Sequence, residues 1–185
     1  MAARKEKRTV FVEDESIFSL KPYTARGWYP TGPAVHVPMT YNGDSRFYAF
    51  GVANGKKEHY RFFDSKNKKK QSNKKKKKKN RNIDAEMTLL FLQYLHQLYP
   101  KLLLIWDEGS NHTAKKVQEY ARANKIKLIW FPTACPDENP IEQSWDTLKE
   151  ATANDYHPTI NIYKKRVRKQ ALKKNLTKMF KYLSH

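Results

Sequence analysis

Three carboxylates stand in the sequence where a predicted strand ends or a predicted helix begins. Asp14 comes after a β-rich run and Asp107 directly after an apolar run. Glu142 opens a helix, with thirty-four residues (108–141) between it and Asp107. Because ligand sites in open α/β sheets lie beyond the carboxyl ends of strands, we expect these acids to meet at one sheet edge. Carboxylate oxygens are the ligands that Mg²⁺ prefers, and three of them suit a two-metal site for phosphoryl transfer.

Each acid also has a purely structural interpretation. The run Asn139-Pro140-Ile141-Glu142 is typical of a helix start, with Asn139 as the N-cap and Glu142 reaching back as in a capping box. An acid after a strand is often only a turn residue. Spacing alone therefore leaves metal binding and helix capping open for Glu142. Nor does it single out Asp14, which Glu13 and Glu15 flank.

The positive charge is concentrated in two segments. The chain has 37 Lys and Arg against 18 Asp and Glu, a formal net charge of +19. Residues 66–79 hold ten Lys and residues 164–181 hold nine Lys or Arg, so removing both segments leaves 18 bases against 18 acids (37 − 10 − 9 = 18). A balanced body with two cationic appendages predicts binding to a polyanion such as DNA. For residues 66–79, a solvated low-complexity loop is the alternative interpretation.

The composition excludes several classes of protein. With 185 residues, 39% of them hydrophobic, the chain is long enough for one domain with a real core and too apolar for complete disorder. Its apolar runs are too short to span a membrane, and no apolar segment follows the basic N-terminus as in a secretory signal. The lone Cys135 fits a reducing compartment, so we expect a cytoplasmic protein without disulfides.

The first half of the chain predicts β-structure. A short strand at residues 9–12 is followed by strand-like stretches at residues 34–41, 46–53 and 59–63. Asn42-Gly43 and Asn54-Gly55 separate these three stretches, and Asn-Gly favours the tight turns of hairpins. The pattern therefore predicts an antiparallel meander of three strands.

The second half alternates between the periods of helices and strands. Helices are predicted at residues 84–99, 113–124, 140–151 and from residue 160 onward, and strands at residues 102–106 and 126–131. The last helix is basic, with Leu172, Leu176, Phe180 and Leu183 as its predicted apolar side. This order predicts an α/β fold whose mixed sheet, a three-strand antiparallel meander plus parallel strands, is flanked by helices.

Two stretches carry a resemblance to a known family. The runs IWDEGSNHTAKKV (residues 105–117) and LIWFPTACPDENPIEQSWDTLK (residues 128–149) resemble the catalytic core of DDE transposases, in the insertion-sequence branch of the mariner superfamily. The family's motif positions are occupied by Asp107, His112, the segment Asn-Pro-Ile-Glu, Trp145 and Lys149. Upstream, VFVEDESIF and ARGWYPTGP look like the segment that contains the family's first Asp, here Asp14.

The resemblance implies an RNase H-like fold and names the site. Asp14, Asp107 and Glu142 would be the catalytic, metal-binding triad, holding two Mg²⁺ ions for which Mn²⁺ can substitute. The implied reaction is nicking at the ends of a DNA element, then attack of a DNA 3′-hydroxyl on the target. The partners would be transposon ends and target DNA, with a homodimer assembled on them at the nucleoid. Residues 1–155 would form the catalytic domain, with residues 66–79 as an insertion and residues 156–185 as a basic helical extension.

The chain departs from the family pattern in two respects. The family usually has Asn after the second Asp, where this chain has Glu108, which could raise the pKa of Asp107 or act as an unwanted ligand. The family also carries helix-turn-helix modules before its catalytic core, whereas this chain begins a few residues before its first predicted strand. We therefore expect either a separate helix-turn-helix polypeptide or a fragment of a longer protein.

Several further side chains are candidates for a role at the site. His112 could contact DNA or support Asp107, and Trp145 is most simply a core anchor. Trp28 could stack on DNA, although packing over the site is the favoured interpretation. The basic C-terminal helix supplies the remaining DNA-contacting candidates, which are Lys164, Lys165, Arg166, Arg168 and Lys169.

Two other functions remain open at this stage. A basic RNase H-like domain that has lost transposition would only coat nucleic acid, and its binding would depend on the cationic segments rather than on the triad. Another RNase H-like nuclease, such as a resolvase, would cut branched DNA instead of terminal repeats.

No close pair of His or Cys has zinc-ligand spacing, and no Gly-rich phosphate-binding motif is present.

Overall fold

A computed structural model describes residues 6–21, 23–28, 30–32, 36–38, 40, 42–65, 83–132 and 139–173. Its strands are β1 (Thr9–Leu20), β2 (Asn42–Ala53), β3 (Glu58–Asp64), β4 (Leu102–Trp106) and β5 (Lys127–Trp130). They form one sheet in the order β3-β2-β1-β4-β5. The described helices are α1 (Ala85–Leu98), α2 (Lys115–Ala123), α3 (Glu142–Glu150) and α4 (Ile160–Ala171).

The sheet is mixed, as the order of elements predicts. Strands β1 and β2 pair antiparallel, and β4 and β5 pair parallel. The turn after β2 is tight because the Asn54 side chain accepts hydrogen bonds from the backbone N–H groups of Lys56 and Lys57, while Gly55 takes a φ of +81°. That turn brings β3 back beside β2, so the meander is β1-β2-β3 rather than residues 34–41, 46–53 and 59–63. The α/β class with flanking helices is confirmed.

The chain divides into two compact units, the first consisting of Met1–Phe11 and Phe63–Ala134. Its helices α1 and α2 pack together, and α2 also packs on β5. Helix α1 begins at Asp84, whose side chain accepts hydrogen bonds from the N–H groups of Glu86 and Met87. The largest buried side chains of this unit come from both helices and strands: Phe11, Phe91, Leu92, Leu95, Leu102, Leu104 and Trp106.

The second unit consists of Val12–Phe62 and Cys135–His185. Its core is aromatic: Phe18 of β1 stacks on Phe47 of β2 at 5.0 Å between ring centroids, and Tyr163 of α4 meets both rings edge-on. Trp145 of α3 lies edge-on to Phe18 at 6.5 Å. Helices α3 and α4 therefore share one core with β1 and β2.

Strand β1 differs from its prediction in a way that affects the site. The acidic run Glu13-Asp14-Glu15 was expected at the end of a short strand, but β1 continues through it to Leu20. Pairing with β2 is continuous from Val12 opposite Ala53 to Ser19 opposite Arg46, so the backbone stays in the strand through its polar centre. The acids thus lie in the middle of a strand rather than in a turn.

Two local predictions are wrong. Asn42-Gly43 does not separate two strands but lies inside β2, and described residues 36–38 and 40 are not in a strand. Leu172, expected on the apolar side of the last helix, is 84% exposed, whereas Tyr163 and Val167 are the residues of α4 that are buried. Residues 66–79, Leu176, Phe180 and Leu183 lie outside the described residues.

Candidate active site

Asp14 is at the centre of β1, directly opposite Gly51 of β2 in the antiparallel register. Side chains alternate across a strand, so Asp14 projects from the face that also carries Val12 and Phe18, while Glu13 and Glu15 project from the other face. The aromatic core of the second unit lies on the Phe18 face. Strand periodicity therefore distinguishes Asp14 from its two acidic neighbours, which spacing alone could not do.

The Asp14 carboxylate is held by a tryptophan. The indole Nε1–H of Trp145 donates a hydrogen bond of 2.8 Å to Oδ2 of Asp14. Trp145 is 2% exposed, so this polar contact is made from within the core. The prediction of Trp145 as a core anchor holds for its ring but misses its N–H group. A buried indole N–H usually needs a hydrogen-bond acceptor, and here the acceptor is Asp14.

The electrostatics around Asp14 disfavour its charged form. Burial raises the pKa of Asp14 to about 7, and the negative charges of Glu15 and Glu142 act in the same direction. The hydrogen bond from Trp145 opposes this shift because it stabilises the carboxylate. The structure thus places two carboxylates, Asp14 and Glu142, close enough in the second unit for their charges to interact.

Helix α3 begins in a manner that differs from the capping-box interpretation. Glu142 is the first helical residue rather than the third, and the cap position is occupied by Ile141, which makes no side-chain capping bond. Asn139 instead closes the preceding turn: its Oδ1 accepts from the N–H of Ile141, and its Nδ2 donates to the backbone carbonyl of Glu13, each at 3.3 Å. Asn139 therefore ties the start of α3 to the strand that carries Asp14.

Asp107 directly follows β4 in the first unit, and two donors surround one of its oxygens. Nδ1 of His112 lies 2.6 Å from Oδ1 of Asp107, and the backbone N–H of Gly109 donates to the same oxygen at 2.9 Å. The hydrogen bond from His112 lowers the pKa of Asp107, with a smaller contribution from Gly109. The side chain of Asp107 remains 63% exposed, and its neighbour Glu108 is not among the causes of the shift.

Gly109 leaves room for two side-chain oxygens that lie close to its Cα atom. A Cβ atom at this position would lie 2.8 Å from Oδ1 of Asn111 and 2.9 Å from Oδ1 of Asp107. Any other residue would therefore push against the carboxylate that the Gly109 N–H now binds.

The chain matches a known protein family over most of its length. The model of the DDE superfamily endonucleases matches residues 9–162, which include Asp14, Asp107 and Glu142. The chain belongs to the DDE superfamily endonuclease family. No curated protein matches its sequence.

Solved structures of Mos1 transposase share the fold of this DDE endonuclease. The pre-cleavage Mos1 transpososome has a TM-score of 0.65 and 13% sequence identity, covering 93% of this chain and 52% of that chain. The catalytic domain of Mos1 mariner transposase has a TM-score of 0.61 and 11% identity, covering 93% and 75%. The chain thus spans about half the length of the chains in the Mos1 complexes. The likeness confirms the RNase H-like sheet with its flanking helices.

The donor set of this DDE endonuclease fits a hard divalent cation. Asp14 and Glu142 are carboxylates with interacting charges. Burial above all, and repulsion in addition, raises the pKa of Asp14, and a bound cation would favour its charged form. Mos1 paired-end complexes were solved with Mg and with Mn.

The structure changes the interpretation of two aromatic candidates in the DDE endonuclease. His112 is 1% exposed and stacks on Trp106 with 4.4 Å between ring centroids, so its burial argues against a DNA contact and favours the support of Asp107. Trp28 is fully exposed, so the favoured interpretation of Trp28 as a packed lid is wrong.

The basic candidates lie along α4 of the same unit as Asp14. Lys165, Arg168 and Lys169 are exposed, and Lys164 is half-buried. Arg166 forms an ion pair with Asp155, which partly neutralises its charge. The helix therefore presents a cationic surface formed by Lys165, Arg168 and Lys169.

Two residues of the site were missed from the sequence. Gly51 makes room for the Trp145 ring beside Asp14, and an isolated Gly inside a strand pattern is the signal that could have indicated a close approach. Gly109 has no comparable signal, because a Gly shortly after a strand also suits an ordinary turn.

Proposed function

We propose that this chain is the catalytic module of a transposase, which cleaves DNA strands and joins a DNA 3′-hydroxyl to a target phosphodiester. Asp14, Asp107 and Glu142 are its catalytic residues and hold two Mg²⁺ ions, for which Mn²⁺ can substitute. Two divalent ions in such a site activate the attacking oxygen and stabilise the leaving oxygen.

The observation that supports this proposal best is the way each aspartate is held. Oδ2 of Asp14 accepts from Trp145, and Oδ1 of Asp107 accepts from Gly109 and is bonded to His112. A carboxylate has about four lone-pair sites, so these bonds orient each group and leave it able to bind a cation. Neighbours that orient ligands in this way are typical of metal sites.

The protein residues have distinct parts in the proposed reaction. Asp14 and Glu142 bring negative charge to one place in the second unit, where Asn139 fixes the start of α3 against β1. Asp107 is ionised at neutral pH, and its bond with His112 lowers its pKa further below the ordinary value. Exposed Lys165, Arg168 and Lys169 bind DNA phosphates without reading sequence.

The test is nicking of a supercoiled plasmid in Mg²⁺ or Mn²⁺, comparing the wild-type chain with Asp107→Asn. The matched control is Asp146→Asn, which changes an exposed aspartate on α3. We expect Asp107→Asn to lose nicking while a gel shift shows unchanged binding of the same DNA, and Asp146→Asn to keep both. Equal nicking by wild type and Asp107→Asn would contradict the proposed triad.

A second candidate function is DNA binding without catalysis, which the exposed bases of α4 favour. It predicts that all three proteins bind the plasmid and none nicks it. In that case, addition of a helix-turn-helix polypeptide separates a module that needs a partner from a remnant that is no longer an enzyme.

The narrower features of the proposal come from the motif pattern. We propose that the chain belongs to the insertion-sequence branch of the mariner superfamily. The support is the resemblance of Asn-Pro-Ile-Glu at residues 139–142, followed by Trp145 and Lys149. We propose that it acts as a homodimer on transposon ends and target DNA in the cytoplasm, at the nucleoid. The described residues contain no helix long and apolar enough to cross a membrane.

A further inference from the structure

We infer that Trp145 is a positioning residue for the metal site. Its indole N–H orients the Asp14 carboxylate, and Gly51 leaves room for the indole ring. This inference rests on the proposed function, because it names the device that orients one of the proposed ligands. The three residues belong to one unit and to three elements, β1, β2 and α3.

The register of the sheet makes Gly51 the position that must be small. Gly51 lies opposite Asp14, and a Cβ atom there would lie 2.7 Å from Cη2 and 3.0 Å from Cζ2 of Trp145. It would also lie 3.0 Å from Cδ1 of Ile141. A contact below 3.0 Å with a ring that is packed on all sides forces the ring to move. Any larger residue at Gly51 would therefore shift the indole relative to Asp14.

The ring of Trp145 is fixed by its surroundings. Tyr60 of β3 meets it edge-on at 5.7 Å and Phe18 of β1 at 6.5 Å between ring centroids. Aromatic contacts of this kind contribute about 0.5–1.5 kcal/mol each beyond burial. The indole N–H is consequently held in one direction, toward Oδ2 of Asp14.

A fixed donor on one oxygen determines the rotation of the whole carboxylate. Without it, only the hydrogen bond from the backbone N–H of Glu15 would oppose rotation of Asp14 about χ2, whose torsional preference is broad. The indole thereby holds the carboxylate in one orientation before the metal binds, so that metal binding loses less conformational entropy. Loss of neighbours that orient a ligand typically weakens metal binding 10- to 100-fold.

The first experiment follows the indole N–H resonances of the ¹⁵N-labelled full chain by NMR. The chain has four tryptophans, and the resonance missing from Trp145→Phe identifies Trp145. We expect this resonance to shift in Asp14→Asn, while those of Trp106 and Trp130 stay in place. We also expect it to shift when Mg²⁺ is added to the wild type. A Trp145 resonance that moves in neither case would overturn the inference.

The second experiment measures Mn²⁺ binding by calorimetry. We expect a dissociation constant raised about tenfold in Trp145→Phe, which keeps an aromatic ring but has no N–H. Phe47→Leu is the matched control, since it loosens the same core at Phe18 and Tyr163 and leaves unchanged both residues whose rings meet Trp145. It should bind Mn²⁺ within about twofold of wild type. Equal weakening in both variants, or none in Trp145→Phe, would refute a positioning role.

Gly51→Ala gives an independent arm that retains the indole. As a single variant it should weaken Mn²⁺ binding. Combined with Trp145→Phe it should weaken binding little further, because both substitutions act through the same ring. Additive losses in the double variant would count against the inference. A wild-type chain that binds no Mn²⁺ overturns the proposed function together with the inference, whereas wild-type binding with an unaffected Trp145→Phe overturns the inference alone.

Discussion

His112 and Asp107 are joined through one ring nitrogen, since Nδ1 of His112 lies 2.6 Å from Oδ1 and 3.1 Å from the backbone carbonyl oxygen of Asp107. The same imidazole stacks on Trp106, the last residue of β4. The histidine therefore couples the direction of the Asp107 side chain to the strand that precedes it.

Replacing His112 by Phe should separate the contribution of its hydrogen bond to Asp107 from that of its stacking on Trp106. The Phe ring retains the stack on Trp106 but removes the bond to Asp107, so we expect Mn²⁺ to bind about tenfold more weakly. Calorimetry measures the affinity, and urea unfolding at pH 7 verifies that the variant folds. His96→Phe is the matched control, because His96 is bonded to Tyr120 within the same unit. Similar Mn²⁺ affinities in the two variants would contradict the role of His112.

The raised pKa of Asp14 predicts an unusual dependence of stability on pH. The folded chain keeps a proton on Asp14 up to about pH 7, whereas the unfolded chain loses it near the ordinary value of 3.8. Between these values the folded state binds more protons, so its stability falls as pH rises. Asp14→Asn removes this loss and should be more stable than wild type at pH 8 by about 2–4 kcal/mol.

Urea unfolding in EDTA at pH 4.5 and pH 8 measures this difference. The advantage of Asp14→Asn should be largest at pH 8 and small at pH 4.5. Saturating Mg²⁺ should then stabilise wild type but not the variant, because only the wild type has the ligand. Asp146→Asn controls for loss of a negative charge at an exposed position. An advantage of equal size at both pH values would show that Asp14 titrates normally.

The cationic surface of α4 should govern the salt dependence of DNA binding. Replacing Lys165, Arg168 and Lys169 by Ala removes up to three phosphate contacts, so the slope of log Kobs against log salt should fall in magnitude by about 2–3. A filter-binding assay over a range of NaCl concentrations measures this slope. The matched control replaces three exposed bases of the first unit, Lys101, Arg122 and Lys125. A slope reduced equally by both triple variants would indicate diffuse attraction rather than a defined surface.

Local patterns were sufficient for the elements whose ends carry their own signals. Helix α1 begins at Asp84, a side-chain cap, and β4 is an uninterrupted apolar run, so both follow their predicted bounds closely. Strand β1 could not be predicted in full. Its acidic centre resembles a strand end, and only pairing with β2 shows that the backbone continues.

The site was predictable in its acids but not in the residues that hold them. Spacing and motif resemblance select Asp14, Asp107 and Glu142, and these assignments stay predictions. The donor to Asp14 comes from Trp145, 131 positions along the chain, and nothing local shows where a buried N–H will point. Such contacts are determined by tertiary packing alone.

The full exposure of Trp28 makes it an optical reporter built into the chain. Trp106 and Trp145 are buried and Trp130 is half-buried, so a collisional quencher such as acrylamide should act chiefly on the emission of Trp28. Because the indole lies in the loop between β1 and β2, a macromolecule that covers this loop would shield it from the quencher. The unlabelled chain can therefore report by its own emission whether its partner touches that loop.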